Sequence, residues 1–104
     1  MLEFWLRYDL RSPSFGFGST DLARVAIEQV EWGDQRGFHK VELTEHHGTP
    51  DNVNPSPLII AAAMASRTSV IRFQPSAIIL PLHDPIRIAE DCIMVDIVSN
   101  GRLD

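Results

Sequence analysis

Lys40-Val41-Glu42-Leu43-Thr44-Glu45-His46-His47-Gly48-Thr49-Pro50 is the stretch on which the reading of the chain turns. A short run with strand character, Lys40–Thr44, stops abruptly on an acid and two histidines, then breaks into a Gly/Pro loop. Where parallel strands are joined by helices, ligands and chemistry gather at the carboxyl ends of the strands. Glu45, His46 and His47 are therefore expected at such an end, as half of a site completed by residues past Asp104.

The flanks supply the alternation this expectation needs. Leu2–Tyr8, rich in Leu, Phe, Trp and Tyr, reads as a buried strand, and Asp9–Gly18 as the loop after it. Ser19 or Thr20 can cap a helix with Leu22, Val25, Ala26 and Val30 on its apolar face. Gly37 suits the left-handed position that closes it. After the Glu45–Asn54 loop, Asn54-Pro55-Ser56-Pro57 starts a second helix, and Leu58–Ala65 is apolar all round, which predicts cover on two sides. Val70–Phe73 is a third strand, interrupted at Gln74-Pro75-Ser76 because Pro75 has no N–H for a ladder. Asp84 caps a third helix that opens on Pro85, with Ile86, Ala89, Ile93 and Ile97 on one face and Asn100-Gly101 at its end. Arg102-Leu103-Asp104 reads as the first residues of a fourth strand.

Strand centres near Phe4, Val41, Ile71 and Leu103 lie 37, 30 and 32 residues apart. Eight such units need roughly 260 residues, close to the length of a TIM (β/α)8 barrel. The expected fold class is α/β: a partial TIM (β/α)8 barrel of about three βα units plus the start of a fourth strand. Residues 1–104 then form one amino-terminal fragment of such a domain; a three-unit open sheet is the other arrangement with this alternation.

Composition narrows the function classes. At 44% hydrophobic and 22% charged residues the chain is ordinary for a folded domain, and its net charge of −5 argues against nucleic acid or an anionic membrane as partner. The longest apolar run, Leu58–Ala65, is far too short to span a bilayer. No signal peptide is visible, and the one cysteine, Cys92, cannot form an internal disulfide, so a cytoplasmic location is expected.

Glu45-His46-His47 carries the sharpest chemical reading, because imidazole changes its proton balance near neutral pH. The bland reading is a loop with two solvated histidines. No metal site is expected: neighbouring strand residues point to opposite faces, and neither His39 nor His83 stands at ligand spacing to the pair. Gly16-Phe17-Gly18-Ser19-Thr20-Asp21 resembles the start of a dinucleotide fingerprint, but Asp21 puts a negative charge where a pyrophosphate would sit. Gln74–Pro81 is irregular at a strand end, as at a ligand site or a plain loop. Tyr8, Asp9, Arg11 and Phe15 are expected on the same rim as His47 and Ser76, with Cys92 an inert core residue.

Together, Glu45-His46-His47, Pro55-Ser56-Pro57-Leu58, Ser76–Pro85, Ala89-Glu90-Asp91 and Asp96–Arg102 resemble, in order, the amino-terminal third of the bacterial luciferase-like flavin monooxygenases. The resemblance implies a (β/α)8 barrel that uses FMN, reduced by a separate NAD(P)H:flavin reductase, and O2 to oxidise a small organic substrate. His47, with His46 beside it, matches the family's catalytic histidine, a proton-transfer group. Ser76-Ala77 matches a non-prolyl cis peptide packed against the flavin, and Glu45 joins them on the cofactor side. The second and third helices match the surfaces used for dimerisation, homomeric or heteromeric. A related branch uses F420; the doubled histidine favours FMN. Glu42 stands where an aromatic residue is common, and a fragment this short is expected to be inactive alone, persisting by dimerising or by pairing with a chain that completes it.

Overall fold

The computed structural model describes residues 1–51 and 54–104; positions 52 and 53 of the loop after the second strand lie outside the described residues. Three strands, β1 (Trp5–Tyr8), β2 (Lys40–Leu43) and β3 (Arg72–Pro75), form one parallel sheet in the order β1-β2-β3. Helices α1 (Ser19–Asp34) and α2 (Pro57–Ala65) make the two crossovers, and α3 (Pro85–Ser99) follows a short 3₁₀ turn at Leu80–Leu82. Tyr8, Leu43 and Pro75 share the last rung, so the three strands end level. Leu103 bridges Phe73 in the parallel sense, which puts the fourth strand on the far side of β3 as expected.

Side-chain alternation then separates two faces. Val41, Leu43, Ile71 and Phe73 are fully buried with Ala26, Val30, Ala61 and Met64 from the helices, and Leu6 packs on the same side. The other face is polar and cross-linked by charge. Arg7 meets Glu42 at 3.2 Å, while Lys40 and Arg72 converge on Asp104 at 2.7 and 2.5 Å.

Four local expectations are corrected. β1 is half exposed rather than buried, because it is a sheet edge, with Phe4 at 58% and Trp5 at 49% exposure. Gly18, not Ser19 or Thr20, is the N-cap of α1; it takes the extended conformation and its carbonyl accepts from Leu22, and no side chain caps this end. Pro75 completes β3 instead of interrupting it. The ladder to β2 is made by the amides of Arg72 and Ser76, whereas Phe73 donates to the opposite side, so the missing N–H of Pro75 falls away from β2. On α3, Ile88, Cys92, Val95 and Ser99 are the residues turned inward, and Ile86, Ile93 and Ile97 are the exposed stripe.

Other sequence signals hold. Asp84 caps α3 by accepting from the Ile86 and Arg87 amides at 3.0 Å, with Pro85 at the first helical position. α2 opens on Ser56-Pro57 and lies between α1 and α3 over β3, its two covered sides leaving only Ile59 of its side chains largely exposed.

Candidate active site

Glu45 leaves the end of β2 as a wholly buried carboxylate. Buried charge at such a position requires donors, and three reach it. His47 Nε2 lies 2.7 Å and His83 Nε2 2.8 Å from Oε1, while the Ile79 amide donates to Oε2 at 2.8 Å. Burial alone would raise the Glu45 carboxyl; the hydrogen bonds from His47, the Ile79 amide and His83 outweigh it and hold the group below the usual carboxylate range. One side chain therefore ties the loop after β2 to the segment after β3.

That segment begins with Ser76, whose amide donates to Leu43 O at 2.7 Å, and continues through a cis peptide between Ser76 and Ala77. Glu45 and His47 thus follow β2, and Ser76 and Ala77 follow β3, at the same carboxyl end of the sheet, some thirty residues apart in the chain. His46 is half-buried beside them, its amide bonded to Asn54 O at 3.0 Å. Asn54 also donates through Nδ2 to Thr44 O at 3.0 Å, and Thr44 Oγ1 donates to Asp9 Oδ1 at 2.9 Å. These bonds fasten the loop after β1 to the loop after β2, so the rim is one structure.

Of the two aromatic residues expected on this rim, Tyr8 ends β1 and faces α1, and Phe15 extends into solvent. The Tyr8 hydroxyl bonds Gln29 at 3.0 Å and burial pushes its pKa up to about 12; Phe15 is 92% exposed. Arg11 lies on the rim, held by Asp51 at 3.4 Å. Cys92 is half-buried in α3, and burial, reinforced by Asp91, pushes its thiol up, which disfavours the reactive thiolate.

His83 is the member that sequence spacing missed. It sits 38 residues from Glu45, on the loop before α3, and only the fold joins them. Leu80-Pro81, which shapes the 3₁₀ turn, is the one local signal that the chain reverses there. Among the described residues no group of three or more His, Cys, Asp or Glu side chains is arranged to hold a metal ion.

A family model described as luciferase-like monooxygenase matches residues 11–104. The chain belongs to this family. Among its relatives is the oxygenase component of the flavin-dependent trigonelline monooxygenase of Acinetobacter baylyi, 35% identical over 75% of this chain and 22% of that protein. The luciferase-like fold is also that of solved structures. Monooxygenase RslO1 from Streptomyces bottropensis superposes with a TM-score of 0.90 at 27% identity, over 99% of this chain and 32% of that one. The oxygenating constituent of 3,6-diketocamphane monooxygenase from Pseudomonas putida, solved with FMN, gives 0.89 at 23% identity, over 99% and 28%. The three-stranded parallel sheet and its helices therefore correspond to part of the TIM barrel of these luciferase-like enzymes. The chain spans 20–24% of the length of the first curated relatives it matches.

Proposed function

We propose that this chain carries one wall of an FMN-dependent monooxygenase site, with His47 as its proton-transfer group and His46 as the second histidine of the pair. The observation that carries the reading is the Glu45 carboxylate, which holds His47 and the Ser76–Ile79 segment together at the carboxyl end of a parallel sheet. Imidazole fixed at one nitrogen by a buried carboxylate and 38% exposed is an arrangement suited to moving protons to and from a ligand.

The residues present fit the ring portion of a flavin. Ala77 is exposed at the strand end and carries nothing beyond a methyl group, and Ile79 two residues on is also exposed. Ser76 and Ala77 would lie along the ring, with Glu45 fixing their segment through the Ile79 amide. When bound and reduced, the flavin supplies the two electrons with which O2 is put to work on the organic substrate. A flavin reductase is the implied partner, a small organic molecule the implied substrate, and the cytoplasm the implied setting. FMN is preferred to F420 because the fold solved with FMN superposes at a TM-score of 0.89, against 0.68 for an F420-dependent reductase of the same fold.

The test is a reductase-coupled assay with FMN and O2 on the chain extended past Asp104 to a complete barrel, run beside fluorescence titrations of FMN into that protein and into the 104-residue chain. His47→Ala is expected to lower turnover by about 10²-fold while flavin affinity changes little. Turnover that survives this substitution removes His47 from its role. A second reading, a non-catalytic module completed by another chain or a second copy, is favoured by the exposed isoleucines of α3 and the open edge of β1. A defined dimer that quenches no flavin supports that reading instead.

A further inference from the structure

We infer that Glu45 is a positioning residue: it locks His47 as the Nε2–H tautomer and so presents the Nδ1 lone pair as the working atom, with His83 held in the same tautomer as the second leg of the lock. The inference deepens the proposed function and rests on its reading of His47 as the group that handles protons.

The assignment follows from what each atom can do. An ionised carboxylate is an acceptor only. At 2.7 and 2.8 Å from Oε1, the Nε2 atoms of His47 and His83 must both be donors, since a ring lone pair facing the carboxylate at that distance would repel it. A neutral imidazole carries one proton, so Nδ1 of each ring is left as the acceptor. The other carboxylate oxygen is engaged by the Ile79 amide, which can only donate. Glu45 therefore cannot swing towards either ring without leaving a backbone N–H unpaired.

The two rings are not equivalent. His83, 27% exposed, lines an open cavity of about 190 Å³ with Pro57, Ile78, Ile88 and Asp91, whereas His47 is 38% exposed and is the more accessible of the two. His47 is accordingly the ring that serves the site, and His83 steadies the carboxylate. The proton balance is simple. As a base, His47 takes a proton at Nδ1 and becomes an imidazolium whose Nε2–H stays on Glu45; as an acid it returns that same proton from Nδ1. The proton on Nε2 never leaves, and the negative charge of Glu45 stabilises the charged ring throughout.

Long-range ¹H–¹⁵N correlation spectra of the labelled 104-residue chain read the tautomers directly. They are recorded at about pH 9, well above the ordinary imidazole range, and assigned through His47→Asn and His83→Asn. The expected result is a protonated Nε2 and a lone-pair Nδ1 on both rings; Nδ1–H on His47, or an even mixture, overturns the inference. Glu45→Gln provides the contrast. Its amide oxygen is kept by the Ile79 N–H, which turns the NH₂ group towards the rings and moves the proton of at least one of them to Nδ1. Unchanged tautomers at both rings in a folded Glu45→Gln protein would also overturn the lock, and if that variant fails to fold, the wild-type spectrum decides alone. Flavin binding and turnover do not enter these spectra. A wrong tautomer therefore sinks the lock and leaves the flavin titration standing, and an absent flavin response does the reverse.

Discussion

Asp34 shows how much one carboxylate can organise. It is the last residue of α1, yet its oxygens accept from the amides of Ser69, Val70 and Ile71 at 3.0, 2.8 and 2.7 Å, where the chain turns from α2 into β3. Burial would raise its pKa; the three amides and the charge of Arg102 prevail and lower it. Glu45 is lowered as well, and Asp104 is brought to about 2 chiefly by Arg72, with Lys40 adding to it. For each, the unfolded chain binds more protons than the folded one between the lowered value and the ordinary carboxylate value of about 4. Their stabilisation is complete above that ordinary value and is lost as the pH falls through the lowered ones. Thermal melts should accordingly show a midpoint that falls from about pH 4 towards pH 2. Asp34→Ala should cost about 2 kcal/mol at neutral pH, the loss of hydrogen bonds to a charged acceptor, and should flatten that acid limb. A mutant whose acid limb is as steep as the wild type's would assign the pH dependence elsewhere.

At the scale of elements, Arg102 does for three segments what Asp34 does for two. The residue is 8% exposed, and its guanidinium donates to Ala65 O at the end of α2, to Thr68 O and Oγ1 in the turn, to Ile71 O just before β3 and to Ser99 O at the end of α3. Burial lowers its pKa, and Asp34 opposes that. Arg102→Ala leaves buried carbonyls without partners and should cost about 3 kcal/mol or more in a denaturation curve. Arg102→Lys should recover little, because three ammonium donors cannot reach acceptors spread across a planar fork; near-wild-type stability of the lysine variant would refute this account. The same elements mark what the sequence made legible. The ends of β1 and β2 and the Asp84-Pro85 cap follow from local chemistry, so they could be read, whereas local chemistry ended β3 two residues early and the Ser76-Ala77 cis peptide was expected only from the family resemblance. The inward face of α3 could not, because the helix carries two stripes at helical spacing. The more apolar one, Ile86, Ile93 and Ile97, faces out, and the one holding Cys92 and Ser99 faces in. Periodicity ranks stripes by hydrophobicity and cannot tell a core from a contact surface. Likewise Glu45 and His47 were visible as a cluster two residues apart, while His83 joins them only through the crossover that sets the loops after β2 and β3 side by side.

For the molecule as a whole, the outward stripe of α3 is the feature that its own core does not explain. Ile86, Ile93 and Ile97 are 69%, 59% and 64% exposed, and Ile59 at the start of α2 is 73% exposed on the neighbouring helix. Isolated exposed isoleucines are ordinary, but a run of them along one helix face marks a contact surface. A stable interface buries about 800 Å² per partner, more than four isoleucines supply, so a second copy would have to seat on α2 and α3 together. Sizing of the chain in solution should therefore show concentration-dependent association. Ile93→Lys with Ile97→Lys places two charges on the stripe without touching the inward residues Ile88, Cys92, Val95 and Ser99, and should leave the circular dichroism spectrum unchanged while shifting the protein to monomer. The edge of β1 offers a competing route to association by strand pairing, and it makes a different forecast: charges on α3 would leave such an assembly intact. A wild-type chain that is monomeric at every concentration, or a double mutant that associates as strongly as the wild type, would exclude the helix face as the contact.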